Sequence, residues 1–333
     1  MSMKDMAYRL MAGSLQPIVK LQTPQLSSSV TIFMFHAIHE DHSPHLICPS
    51  SRSRASLLSA IESIQRRFPI VSLDDALNCL DATDKSPRAV LTFDDSLRVS
   101  AELTAPLLSE MGIPATFYLS TDVLDSGTHY WWHRVEYVLT YGSGEVTLEI
   151  AGVNISLSGG CDQALVKKQL KLVTAQERDE AITRIEEALG AALTDGQHPY
   201  PCADVMTWDQ ARQIRDLGLT IGSHSLSHDN LARVQAEPLR RELKDSKSRI
   251  EEMLDISCDH FCYPYGFHDS GTREAVLEAG YASALTCDTP GWNPPGYDRL
   301  SLRRVSLHPT AWKAGYQVGG EHDLIYRIGQ LAP

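Results

Sequence analysis

Apolar residues along the chain follow two rhythms that take turns. Short apolar-rich segments occupy residues 30 to 35, 89 to 93, 115 to 119, 219 to 223, 260 to 263, 281 to 286 and 304 to 307. Runs of that length, rich in β-branched and aromatic residues and bounded by turn formers, predict buried strands. Between them the spacing is helical. Residues 53 to 68 repeat through Leu57, Leu58, Ile61 and Ile64, and further helices are predicted over 73 to 80, 98 to 111, 207 to 217, 238 to 254 and 272 to 279. Their ends are marked. Ser72 and Thr207 each stand three residues before an acid or amide, the order of a capping box, while Gly112 and Gly280 follow as stops. Pro106 is expected to bend its helix, because it lacks the amide that would continue the ladder. Strand and helix in alternation predict a parallel sheet, and about seven strands favour closure into a barrel over an open sheet.

One interval breaks this order. Between residues 125 and 203 the chain carries an aromatic cluster (Tyr130, Trp131, Trp132, Tyr137), then a period-two segment, then two helical stretches over 163 to 173 and 176 to 189. Val146, Leu148 and Ile150 alternate up to Ala151-Gly152, and Val153, Ile155 and Leu157 alternate after it, which predicts a small hairpin. The expected organisation is an N-terminal extension (1–29), a barrel (30–310) interrupted by an insertion (126–204), and a C-terminal tail (311–333). The chain contains no internal repeat and no low-complexity tract.

Composition narrows the function classes. With 333 residues, 43% of them hydrophobic and 22% charged, the chain can bury one large α/β core or a core plus a subdomain. The net charge of −12 and the lack of basic runs interleaved with aromatics exclude a nucleic-acid partner. Seven cysteines without a C-x-x-C pair predict reduced thiols. The first residues lack the order of a secretory signal and no stretch approaches the roughly 18 apolar residues of a membrane span, so a cytoplasmic protein without a transmembrane segment is expected. Residues 6 to 20 have amphipathic spacing that suits peripheral membrane contact or a packed terminal helix.

Candidate chemistry sits at strand ends. Asp94 and Asp95 close one predicted strand, and His224 and His228 stand four apart after another. Either pair alone also fits a turn or an incidental spacing. Together, one carboxylate and two imidazoles form an open three-ligand set for Zn²⁺, and a second carboxylate can accept a proton from water.

The segments Leu91-Thr-Phe-Asp-Asp95, His224-Ser-Leu-Ser-His228 and Phe261-Cys-Tyr-Pro-Tyr-Gly266 resemble three motifs of the polysaccharide deacetylase (NodB-homology) family, of carbohydrate esterase type, over roughly residues 30 to 308. The resemblance implies a distorted (β/α)7-type barrel with an inserted subdomain, a divalent metal with zinc the expected ion, and hydrolysis of N-acetyl or O-acetyl groups on sugars. It implies Asp94 as general base, Asp95, His224 and His228 as metal ligands, and the backbone amide of Tyr265, held in a turn by Pro264 and Gly266, as oxyanion donor.

Three positions depart from the family pattern. Ser96 replaces a usual Gly. Cys262 stands where many members place an Arg against the base, which leaves Arg303 or Arg304 to serve instead; the thiol itself is either a fourth ligand or inert. Only Val305-Ser-Leu-His308 matches the late motif, which makes His308 the candidate for protonating the leaving amine. His36 resembles a strand-end His lining such sites, whereas His39, His42 and His45 fit a solvated loop. His129 and His133 flank Trp131 and Trp132, which either stack on sugars or pack in a core. Asp288 and Trp292 could rim the substrate.

The expected protein is a metal-dependent enzyme that removes an N-acetyl group from a sugar, an oligosaccharide or a lipid- or nucleotide-linked saccharide in polysaccharide biosynthesis. A hydrolase of a non-sugar C–N bond and a catalytically silent carbohydrate-binding protein are the alternatives.

Overall fold

The computed structural model describes residues 29–41, 51–81, 86–158, 163–193, 204–287 and 291–307. The sequence expectations for residues 6 to 20, His42, His45, Asp288, His308 and the 311–333 tail lie outside them.

In chain order the elements are β1 (Val30–Phe35), β2 (Ile38–His39), β3 (Arg52–Ser53), α1 (Arg54–Gln65), α2 (Leu73–Asp81) and β4 (Arg88–Phe93), then α3 (Ala105–Glu110) and β5 (Thr116–Leu119). The middle of the chain forms α4 (Thr121–Ser126), α5 (Trp131–Tyr141), β6 (Glu145–Ile150), β7 (Val153–Ser158), α6 (Gln163–Leu170) and α7 (Ala175–Leu189). The last part forms α8 (Trp208–Asp216), β8 (Thr220–Ser223), α9 (Ala236–Leu254), β9 (His260–Cys262), α10 (Ser270–Glu278), β10 (Ser283–Thr286) and β11 (Leu302–Ser306).

Seven strands close a parallel barrel in the order β1-β11-β10-β9-β8-β5-β4. Register fixes which side chains point inward, because neighbours in a strand face opposite ways. Ile32, Val90, Tyr118, Cys262, Leu285 and Leu302 pack together with Leu73, Ala76, Leu77 and Leu80 of α2, which therefore plugs the end where the strands begin. The outward faces, with Phe33, Leu91, Phe93 and Phe117 among them, pack under the helices. Gly222 is required by this filling. A Cβ there would lie 2.5 Å from the Tyr118 ring, so only a residue without one admits that tyrosine.

The bend expected at Pro106 takes a definite form. Ser100–Thr104 winds as a π-turn before α3 begins, and Gly112 ends the unit at φ +63°. The expected hairpin is also present, with β6 antiparallel to β7 from Glu145↔Ser158 to Ile150↔Val153. It joins α5, α6 and α7 around a separate apolar cluster that includes Val138, Leu148, Leu157, Val166 and Ile185. The aromatic cluster turns out to open a helix, α5, and the two-residue pairing of β2 with β3 had no signal in the sequence.

Candidate metal centre and active site

The site gathers where the parallel strands end, the end of a barrel at which loops from distant parts of the chain converge. His36 follows β1, Asp94 and Asp95 follow β4, His224 follows β8 and Tyr263 follows β9. The Asp94 amide donates to the Phe35 carbonyl (3.1 Å), which extends the β1–β4 ladder into the site. Asp95 and Ser96 then turn with φ +78° and +47°. The left-handed region costs most L-residues of order 1–3 kcal/mol and persists only when the surroundings enforce it. Here Ser120 N–H donates to Ser96 Oγ at 2.8 Å, so the serine in the usual glycine position adds a bond that glycine cannot.

His224 and His228 lie on a tight loop, not a helix, with Ser225 at φ +66° and His228 at φ +58°. Glu242 of α9 holds it. Its carboxylate accepts from Leu226 N (3.1 Å), Ser227 N (3.0 Å) and Ser227 Oγ (2.6 Å). The loop brings both imidazoles to one oxygen: Asp95 Oδ1 lies 3.6 Å from His224 Nε2 and 3.3 Å from His228 Nε2. All three side chains are buried, and their ligand-type atoms fall within 4.8 Å of one another.

Protonation states make this set fit a cation. Burial and the neighbouring His228 push His224 down to about 4, so its ring is neutral at pH 7. Its Nδ1 donates to the Cys262 carbonyl at 2.7 Å, which leaves a lone pair on Nε2 facing a carboxylate oxygen. Burial opposes ionisation of Asp95, but the surrounding histidines outweigh it and hold its carboxyl well below the usual range. A lone pair facing an anion is repulsive unless a positive charge stands between them. Asp95, His224 and His228 thus suit a divalent ion with an open position.

Asp94 has a different partner. Arg304, from the inward face of β11, grips it with Nη1 to Oδ1 and Nη2 to Oδ2, both at 2.9 Å, and both side chains are almost wholly buried. Burial opposes ionisation of Asp94, yet the Arg304 charge and hydrogen bonds, with help from His224, hold it below the ordinary carboxylate range. Of the two arginines open as the substitute cation, Arg303 faces the other way, its guanidinium 5.0 Å from the Tyr297 ring. Burial raises the Cys262 thiol well above its usual range, and it approaches Asp94 Oδ2 at 3.8 Å as a protonated neighbour.

Tyr265 occupies a left-handed position (φ 59°, ψ 0°) between Pro264 and Gly266. Gly266 N donates to Tyr263 O and Phe267 N to Pro264 O, and proline has no N–H, so the Tyr265 amide is the remaining donor of the turn. Its hydroxyl accepts from Trp131 Nε1 (2.8 Å), which fastens the middle segment to the site. Trp132 lies with its ring 4.7 Å from His228, and Tyr130 stacks on Trp132 at 4.3 Å. Trp132 and Tyr265, with Tyr263 and Phe267, line a cavity of about 630 Å³ together with Asp94, Asp95, His36 and Arg304.

Of the residues expected from the sequence, His36 joins the group, with Nε2 3.9 Å from Asp95 Oδ2. Pro264 is buried in its turn and shapes the wall without lining the cavity. Trp292 is not brought there: its neighbour Asn293 pairs with Val30 at the start of β1, the opposite end of the barrel. Trp132, Glu136, Lys167, Lys168 and Lys171 line the cavity without having been singled out as site residues. Of these only the Trp pair carried a signal in the sequence.

A seven-stranded parallel barrel thus carries paired aspartates and an H-x-x-x-H loop at one mouth, an Asp/His centre on a (β/α) barrel. The family model "Polysaccharide deacetylase" matches residues 81–284, and the chain belongs to this family. YxkH of Bacillus subtilis (strain 168), which carries the same family description, is 26% identical over 104 residues, 31% of this chain and 37% of that relative's length. Among solved structures, IcaB from Ammonifex degensii is similar with a TM-score of 0.58 at 15% identity, covering 88% of this chain and 97% of that one. The Streptococcus pyogenes deacetylase PplD, in complex with acetate, is similar with a TM-score of 0.57 at 16% identity, covering 85% and 93%. At such identities the likeness establishes the barrel fold.

Proposed function

We propose that the protein is a metal-dependent deacetylase that removes an N-acetyl group from a saccharide used in polysaccharide assembly. The observation that carries the reading is the convergence of His224 and His228 on one oxygen of Asp95, beside an Asp94 fixed separately by Arg304. Asp95, His224 and His228 would hold the divalent ion, for which zinc suits the ligand set. When bound, the ion supplies Lewis acidity at a carbonyl and lowers the pKa of water.

The chain's own groups account for the rest. Asp94, kept ionised by Arg304, takes the proton of the attacking water as it adds to the acetamide carbon. The Tyr265 amide faces the charge that develops on the carbonyl oxygen. The C–N bond then breaks, the nitrogen takes up a proton and leaves as the amine, and acetate remains. His308 is the proposed donor of that proton.

Arg304 supplies the cation that motif three lacks, which removes one of the two grounds for a silent binding protein, the imperfect late motif around His308 being the other. An aromatic-walled cavity of this size fits a sugar better than a compact non-sugar amide.

The test is acetate release from N-acetylated saccharides by the zinc-loaded enzyme, by the chelated enzyme and after zinc is restored. Release that disappears with chelator and returns with zinc is expected. No chelator-sensitive release from any saccharide overturns the reading.

A further inference from the structure

The cavity holds a second group of charges that the deacetylation chemistry leaves unused. Lys167, Lys168 and Lys171 all line it, contributed by α6 and the turn after it. Lys171 lies four residues after Lys167 and three after Lys168, so like charges crowd the end of α6. Only Lys167 has a carboxylate partner, Glu136 at 2.6 Å. Lys168 and Lys171 have none among the described residues.

Lys171 is half-buried. Its Nζ rests 4.7 Å from the centre of the Tyr265 ring, and that ring lies 4.8 Å from the ring of His228. The ammonium thus stands two ring contacts from a proposed metal ligand, a gap that one sugar unit can span. Burial pulls its pKa below the usual lysine range, although the Asp95 carboxylate acts in the other direction, so the cavity holds this cation at a cost. This concentration of positive charge occurs in a chain of net charge −12, against its overall balance.

Building on the deacetylase reading, we infer that the substrate carries a phosphate or pyrophosphate on or beside the N-acetylated sugar, and that Lys168 and Lys171 bind it. Lysine recognises phosphate as a point charge, and several ammonium groups match an ester carrying more than one negative charge better than they match a neutral glycan. The phosphate can come from a nucleoside diphosphate or from a lipid carrier. Leu165, Leu172 and Phe267 remain about 40% exposed near the lysines and the cavity, a surface that would meet a lipid chain and has no use for a nucleotide.

The experiment compares acetate release by the zinc-loaded full chain from four probes: a neutral N-acetylglucosamine oligosaccharide, N-acetylglucosamine 1-phosphate, its uridine diphosphate ester and its prenyl diphosphate ester in detergent. At least one phosphorylated probe is expected to exceed the neutral one in kcat/KM by about tenfold or more, with the advantage shrinking as salt rises. Lys171→Met and Lys168→Met should each reduce that advantage, mainly through KM, while turnover of the neutral probe is unchanged and Lys171→Arg restores most of the loss. A further gain for the prenyl ester that Leu165→Gln and Leu172→Gln remove identifies the lipid source; its absence, with the uridine ester preferred, identifies the nucleotide. Equal turnover of neutral and phosphorylated probes, untouched by the lysine variants, overturns this inference and leaves the deacetylase reading standing. Acetate from none of the four overturns both.

Discussion

The two ends of the barrel hold the same kinds of side chain and do different things with them. At the end plugged by α2, His260 lies with Nδ1 2.9 Å from Ser283 Oγ and Nε2 3.2 Å from Asp74 Oδ1, the residue types of a hydrolytic triad. Ser283 is wholly buried there and both ring nitrogens are engaged, so no substrate can reach the hydroxyl. At the open end, His224 and His228 leave their Nε2 atoms converging on one carboxylate beside a cavity. A histidine and an acid in contact therefore say little. Chemistry needs an atom left unsatisfied and a path to it.

The sharpest way to break this contrast is Asp94→Asn. It should lower acetate release by about 10²–10⁴-fold while the zinc content of the purified protein stays the same. Next in size is Arg304→Met, which leaves the buried Asp94 carboxylate without its cation and should cost about 3–5 kcal/mol in urea denaturation. Zinc at a hundredfold excess over its Kd should raise the unfolding free energy by about 2.7 kcal/mol, and His228→Ala should abolish that gain.

The smallest effect compares the ends directly through pH. The His224 pKa is about 4 in the fold, and burial also lowers that of His260, whereas an unfolded histidine titrates near 6.5. Below about 6.5 the unfolded chain binds protons that the fold refuses, so the metal-free protein should be fully stable above that pH and lose stability as pH falls toward 4. His260→Asn should reduce this slope, cost about 1 kcal/mol at neutral pH and leave kcat unchanged.

Much of this was legible in the order of residues. All seven barrel strands lie within a few residues of the segments expected from the sequence, and the hairpin announces itself through alternation around Ala151-Gly152. Arg304 was harder to place, because Arg303 and Arg304 are equivalent by composition. Only the pairing of Ile32 with Arg304 fixes which of them points into the barrel. The contribution of Lys171 was hidden for another reason: a helix whose lysines are spaced like a solvated face becomes a cavity wall only once α5 docks its tryptophans against Tyr265. Trp292 misleads in the opposite direction, since loop composition carries no record of which rim a loop lies on.

Cys262 has a consequence apart from turnover. Its sulfur is sealed in the barrel interior and its thiol is held protonated, so an alkylating reagent can meet it only after the strands part. Followed peptide by peptide in native buffer, the labelling of this one residue would time the parting of the strands, giving the molecule an internal stopwatch for the lifetime of its closed state.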